Sequence, residues 1–174
     1  MTLKSTALDK IILLYVMDTM EIPLTCKSLA EMCSKNEWIN YFYAIECVNE
    51  LVEMNYIVNV RKNNNNEELY VLTADGKNCI RDFFTEIPLS KRDDIKKHVR
   101  ENRNLYRRKQ DYFSDYYKND DGSYTVILKI LTSATPLLDL KLCVQSKSMA
   151  KWLEKSWVDK APLVYELISQ NLFE

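Results

Sequence analysis

The chain has 174 residues, 47% apolar and 28% charged, which is enough to bury a core without disulfides or metal. Its only glycines are Gly76 and Gly122, and this excludes Walker loops and Rossmann fingerprints, both of which need clustered glycine. The net charge of −1 points to neither nucleic acid nor an anionic membrane, but it is unevenly placed: residues 1–87 carry −5, residues 88–110 carry +6 and residues 111–174 carry −2.

In chain order, a first helix is expected from Thr6, whose hydroxyl can cap it with Asp9 three residues on, and Leu8, Ile11, Ile12 and Tyr15 form its inward stripe. Pro23 makes the Glu21–Leu24 segment extended, and Thr25 can cap a short second helix to about Cys33, with Leu29, Met32 and Cys33 inward. A third helix is expected over residues 40–54, with Tyr41, Phe42, Ile45, Val48 and Val52 at helical spacing. The β-branched run Tyr56–Val60, the four asparagines at 63–66 and the run Leu69–Leu72 predict a hairpin with a polar tip. Thr73 then caps a fourth helix that Pro88 ends, and residues 90–107 form a charged connector helix.

Beyond the connector, Tyr112–Tyr117, Tyr124–Thr132 and Leu138–Val144 predict three strands, the first two joined through a turn at Gly122. Ser146 can cap a following helix, and Pro162 is expected to restart a second one. The fold class is therefore α+β. An N-terminal winged helix-turn-helix (1–88) is joined by a basic connector helix (89–107) to a three-stranded antiparallel sheet with helices on one face (108–174).

The stretches Trp38-Ile39-Asn40-Tyr41-Phe42, Leu51-Val52 followed by Tyr56-Ile57, and Leu72-Thr73-Ala74-Asp75-Gly76 resemble bacterial winged-helix regulators of the PadR-like kind. Tyr112, Tyr116 and Tyr117 with Asp121-Gly122-Ser123-Tyr124-Thr125-Val126 resemble a narrower winged-helix family of unassigned function from Gram-positive anaerobes, over nearly the whole chain. The resemblance implies a transcriptional regulator.

On a DNA-binding reading, the third helix enters the major groove. At 100° per residue, Asn40, Tyr43 and Cys47 point away from the chosen apolar stripe, with Ala44 at its border. Asn can pair with adenine, Tyr can touch phosphate or a thymine methyl, and small residues allow close approach. Glu46, Glu50 and Glu53 on the same helix would repel phosphate, so an ordinary solvated face is the alternative. Arg61 and Lys62, beside the tip residues Asn63 and Asn64, suit phosphate contact, or pair with Glu67 and Glu68 across the hairpin. Lys96, Arg100, Arg103 and Arg107 recur as a stripe that either lies along flanking DNA or answers an acidic surface of the same chain.

Tyr112, Tyr116 and Tyr124 are candidates to line a small-molecule pocket, with core packing as the alternative. No nucleophile motif or carboxylate pair stands out, so the chain is read as no enzyme. Five cysteines without a C-x-x-C pair and a single histidine, His98, lead to an expectation of no metal and no cofactor in a reduced, cytoplasmic compartment. The apolar stretch Ile11–Met17 is too short for a membrane span or signal peptide. The expected function is a homodimeric, double-stranded DNA-binding regulator whose C-terminal domain dimerises or senses a small-molecule effector; the alternative is a winged-helix protein-interaction module that does not bind DNA.

Overall fold

The computed structural model describes residues 2–62, 67–131 and 136–173, without the side chains of residues 2–5, 61 and 62. The chain divides into two units, residues 1–103 and 104–174. Together they form an α+β protein with six α-helices and two three-stranded antiparallel sheets among the described residues.

The first unit begins with α1 (Thr2–Met20). Thr6 lies inside this helix and not at its cap, because the helix starts four residues earlier than expected. Nor is burial confined to one stripe: every residue from Ile12 to Met17 is buried. That stretch carries no charge, and a helix apolar all round must be surrounded. α1 accordingly packs against the third and fourth helices and the sheet.

After α1 come β1 (Leu24–Thr25), α2 (Cys26–Lys35), α3 (Tyr41–Glu53), β2 (Ile57–Lys62), β3 (Glu68–Leu72) and α4 (Ala74–Phe83), with a 3₁₀ turn at Phe84–Glu86. The sheet order is β1-β3-β2, all antiparallel, with Leu24 opposite Tyr70 and Ile57 opposite Leu72. Register shifts between Asn59 and Arg61, so Val60 is an extra residue bulging out of the hairpin. The expected hairpin tip, Asn63 to Asn66, lies outside the described residues.

With so few glycines, the helix ends use other residues in the left-handed conformation: Glu21 (φ 54°), Glu37 (φ 56°) and Asn55 (φ 57°). At Glu37 and Asn55 the paired bonds of a Schellman turn are complete. Trp38 N–H donates to the Cys33 carbonyl at 2.9 Å, and Tyr56 N–H to that of Leu51 at 3.0 Å. These two turns set where α3 begins and ends.

α5 (Leu89–Asp111) runs from the first unit into the second. The second unit continues with β4 (Tyr112–Lys118), β5 (Tyr124–Leu131), β6 (Pro136–Val144) and α6 (Lys147–Leu172). Its sheet order is β4-β5-β6, and its core gathers Val126, Leu128, Ile130, Val144, Ala150, Trp157 and Ala161 between sheet and helix. The two helices expected after Ser146 are one, with Pro162 in its interior. A proline removes one backbone donor, while Trp157 and Ala161 before it, and Val164 and Tyr165 after it, all pack on the same sheet and hold the helix continuous.

Candidate nucleic-acid interface

The site expected on the first unit centres on α3 and the turn before it. Thr25 caps α2 by accepting the Ser28 N–H at 3.0 Å, and Asn40 caps α3 by accepting the Phe42 N–H at 3.0 Å. Asn40 is exposed, but its side-chain carbonyl is engaged in that cap, which leaves the amide NH₂ turned to other partners.

Between the caps, Trp38 is buried, and α5 grips it from three sides. Its indole N–H donates to Asp94 Oδ2 at 2.6 Å, its carbonyl accepts from Lys91 Nζ at 2.9 Å, and its ring meets His98 edge-on at 5.4 Å. Ile95 and Val99 of the same helix are buried beside them. The segment expected to be a connector is therefore, in its first half, part of the packing of the first unit. The spacing of Lys91, Asp94 and His98, at steps of three and four, was the available signal for this grip.

The face that α3 turns outward differs from the one expected. Cys47, assigned to the outward face, and Ala44, assigned to its border, are buried together with Val48 and Leu51, while Phe42, assigned inward, is 73% exposed. The helix is rotated by about one position from the expected phase, because α1 and α2 both pack closely on α3 and small side chains permit that approach. Tyr43 is exposed as expected. Phe42, whose ring meets that of Tyr41 edge-on at 5.6 Å, and Tyr43 are adjacent exposed aromatic residues in the first turn, followed by exposed Glu46, Asn49, Glu50 and Glu53. Glu50 is ion-paired with Lys10 of α1.

Deeper in, burial pushes the Cys33 thiol up to about 12 and that of Cys47 up to about 11, and it raises the Asp9 carboxyl above its ordinary value. Such thiols stay protonated and behave as small core residues. All five cysteines are free.

The basic stripe is split. Arg103 pairs with Glu21 at 2.5 Å and Arg92 lies over the Phe84 ring at 4.4 Å, whereas Lys96, Lys97 and Arg100 are exposed. Arg107, already in the second unit, is 4.0 Å from Asp111. Helical phase puts Arg100 and Arg103 about 120° or more around α5 from the residues that grip Trp38. Arg103 thus answers an acidic residue of its own chain. Arg61 and Lys62 lie on β2, opposite Leu69 and Glu68, with side chains outside the described residues; Asn63 and Asn64 lie outside them altogether.

In the second unit, Tyr112, Tyr116 and Tyr124 are half-buried and pack against the core, with Tyr116 and Tyr124 at 6.2 Å between ring centroids. The packing alternative describes these rings. A cavity of about 250 Å³ lies in the first unit, where α1 ends, lined by Met17, Ile22, Val71 and Leu72 with Asp18 and Lys77. Among the described residues, no helix is long and apolar enough to cross a membrane.

The chain belongs to the family described as Domain of unknown function (DUF4364), which matches residues 9–172. No curated protein and no solved structure matches it.

Proposed function

We propose that this member of the DUF4364 family is a homodimeric winged-helix regulator that binds double-stranded DNA in the cytoplasm through the first turn of α3 and the β2–β3 hairpin. The observation that carries the reading is the order of elements in the first unit. Helix, short strand, two helices joined by a tight turn, and a hairpin whose second strand is central in the order β1-β3-β2 follow the order expected of a winged helix-turn-helix and support that reading. In that arrangement the second helix of the pair enters the major groove by its N-terminal residues, and the hairpin reaches the backbone. Exposed Asn40 and Tyr43 then address base edges, and Arg61 and Lys62 address phosphates. A two-fold protein gains affinity by engaging two such half-sites.

A second reading, a protein-interaction module, is favoured by the rest of α3, where Phe42, Glu46 and Glu53 are exposed and suit a cationic, partly apolar partner better than a phosphate backbone. Selection from a randomised duplex pool at low and moderate salt separates the two. On the DNA reading a palindromic motif is enriched, and Arg61→Ala/Lys62→Ala lowers affinity about tenfold and reduces the salt slope by about 2. Asn40→Ser, which keeps the cap, relaxes base preference at one position. Glu46→Gln/Glu53→Gln strengthens binding severalfold by removing repulsion. No binding at low salt by either the wild type or the Gln variant overturns the DNA reading.

A further inference from the structure

The outer side of α6 carries apolar side chains that its own sheet does not use. Met149, Trp152, Leu163 and Leu167 are 53%, 56%, 57% and 50% exposed, and at 100° per residue they fall within an arc of about 60° that also holds Ser156. Lys160 borders the arc, its ammonium 4.0 Å from the centre of the Trp152 ring. The centre of the arc lies about 110° to 150° from Trp157, Ala150 and Ala161, which face the sheet. Single exposed leucines are ordinary, but a line of four large apolar residues along one helix marks an interaction surface.

The line reads alike from either end. From the N-terminal side come Met149, Trp152 and Ser156; from the C-terminal side come Leu167, Leu163 and Lys160, again at steps of three and four. We propose that α6 pairs with α6 of a second copy of this chain, antiparallel, about a two-fold axis near Val158. Met149 then meets the partner's Leu167, Trp152 meets the partner's Leu163, and Ser156 leaves room for the partner's Lys160.

Two further features fit this occupant. Lys155 and Asp159 are both exposed on the same border of the stripe, and in the antiparallel register each faces its opposite charge in the partner within about 3 Å along the axis. A parallel pair would instead set Lys160 beside its own copy. The four half-exposed side chains amount to on the order of 500 Å² per copy, so the pair buries about 1,000 Å², the size at which specific interfaces begin. The inference gives a surface and a register to the homodimer proposed above and does not depend on DNA.

Sedimentation equilibrium of the full chain tests it. The wild type is expected to dimerise at micromolar concentration. Leu163→Glu, at an exposed position that leaves the fold intact by circular dichroism, should raise the dissociation constant at least about a hundredfold. Lys155→Asp and Asp159→Lys should each weaken association about tenfold. Mixing these two single variants should restore it, because unlike charges then meet across the interface, whereas neither chain regains a pair within itself. A wild type monomeric at about 100 μM overturns the homodimer altogether. A dimer indifferent to Leu163→Glu overturns this surface alone, and a mixture that fails to recover overturns the antiparallel register.

Discussion

Two long helices, α1 in the first unit and α6 in the second, differ in how much of their apolar surface the chain covers. α1 is buried on all sides from Ile12 to Met17 by helices and sheet of its own unit. α6 buries Ala150, Trp157 and Ala161 but turns Met149, Trp152, Leu163 and Leu167 outward. The strands differ likewise. Leu24, Ile57 and Leu69 of the first sheet are wholly buried, whereas Leu142 on the edge of the second sheet is 42% exposed on the side that faces α6. One helix laid over three strands is too narrow to seal them. α1 therefore keeps its apolar surface within its own unit, whereas α6 and the edge of its sheet leave part of theirs uncovered.

The largest effect that can break this contrast is a pair of leucine truncations. Leu14→Ala removes a side chain with no exposure from the centre of the first unit and should cost about 3 to 4 kcal/mol in urea unfolding. Leu142→Ala should cost under about 1 kcal/mol, because much of its surface is already in water. Equal losses would mean that the second unit is sealed as well as the first.

Two glycine exchanges sharpen the picture within the first unit, with opposite signs. A Cβ at Gly76 would lie 2.1 Å from the backbone oxygen of Tyr56, so Gly76→Ala must push α4 away from the start of β2 and should cost about 2 to 3 kcal/mol. Glu37 is exposed and left-handed, so Glu37→Gly should gain about 1 kcal/mol by relieving the turn between α2 and α3. Thermal unfolding measures both, and a stabilised Gly76→Ala would show that the close approach there is slack.

What the sequence made legible follows the same division between local and tertiary causes. The caps at Thr25, Thr73 and Ser146 were readable because a hydroxyl followed by a helical pattern is a local signal, and each accepts the expected N–H. Strand alternation in Leu138–Val144 was readable for the same reason. The phase of α3 was not. Choosing the bulkiest stripe favoured Phe42, Ile45 and Val52, but the close flanks of α1 and α2 select the smaller Ala44 and Cys47, a preference set by neighbours far apart in sequence. That error moved two candidate DNA contacts into the core. The basic stripe was legible only as a pair of alternatives: its spacing was visible, and at Arg103 the acidic-surface alternative holds, but which acidic residue answers it was not readable, because Glu21 lies 82 residues away.

The smallest expected effect is a pH dependence that separates the units, because the only histidine, His98, lies in the first. Burial against Trp38 lowers its pKa below the ordinary 6.5, with Lys35 adding to the shift and Asp94 and Glu101 opposing it. The unfolded chain then takes up the proton before the folded one as pH falls. The stability associated with a neutral His98 is therefore complete above about pH 6.5 and declines below it until the folded group is itself protonated. His98→Gln should remove that decline. Stability measured against this variant should stay constant from pH 8 to about 7 and fall between about 6.5 and 5.5, before most carboxylates titrate. A difference that is flat across that window would show that α5 holds the α2–α3 turn equally well with a charged imidazole.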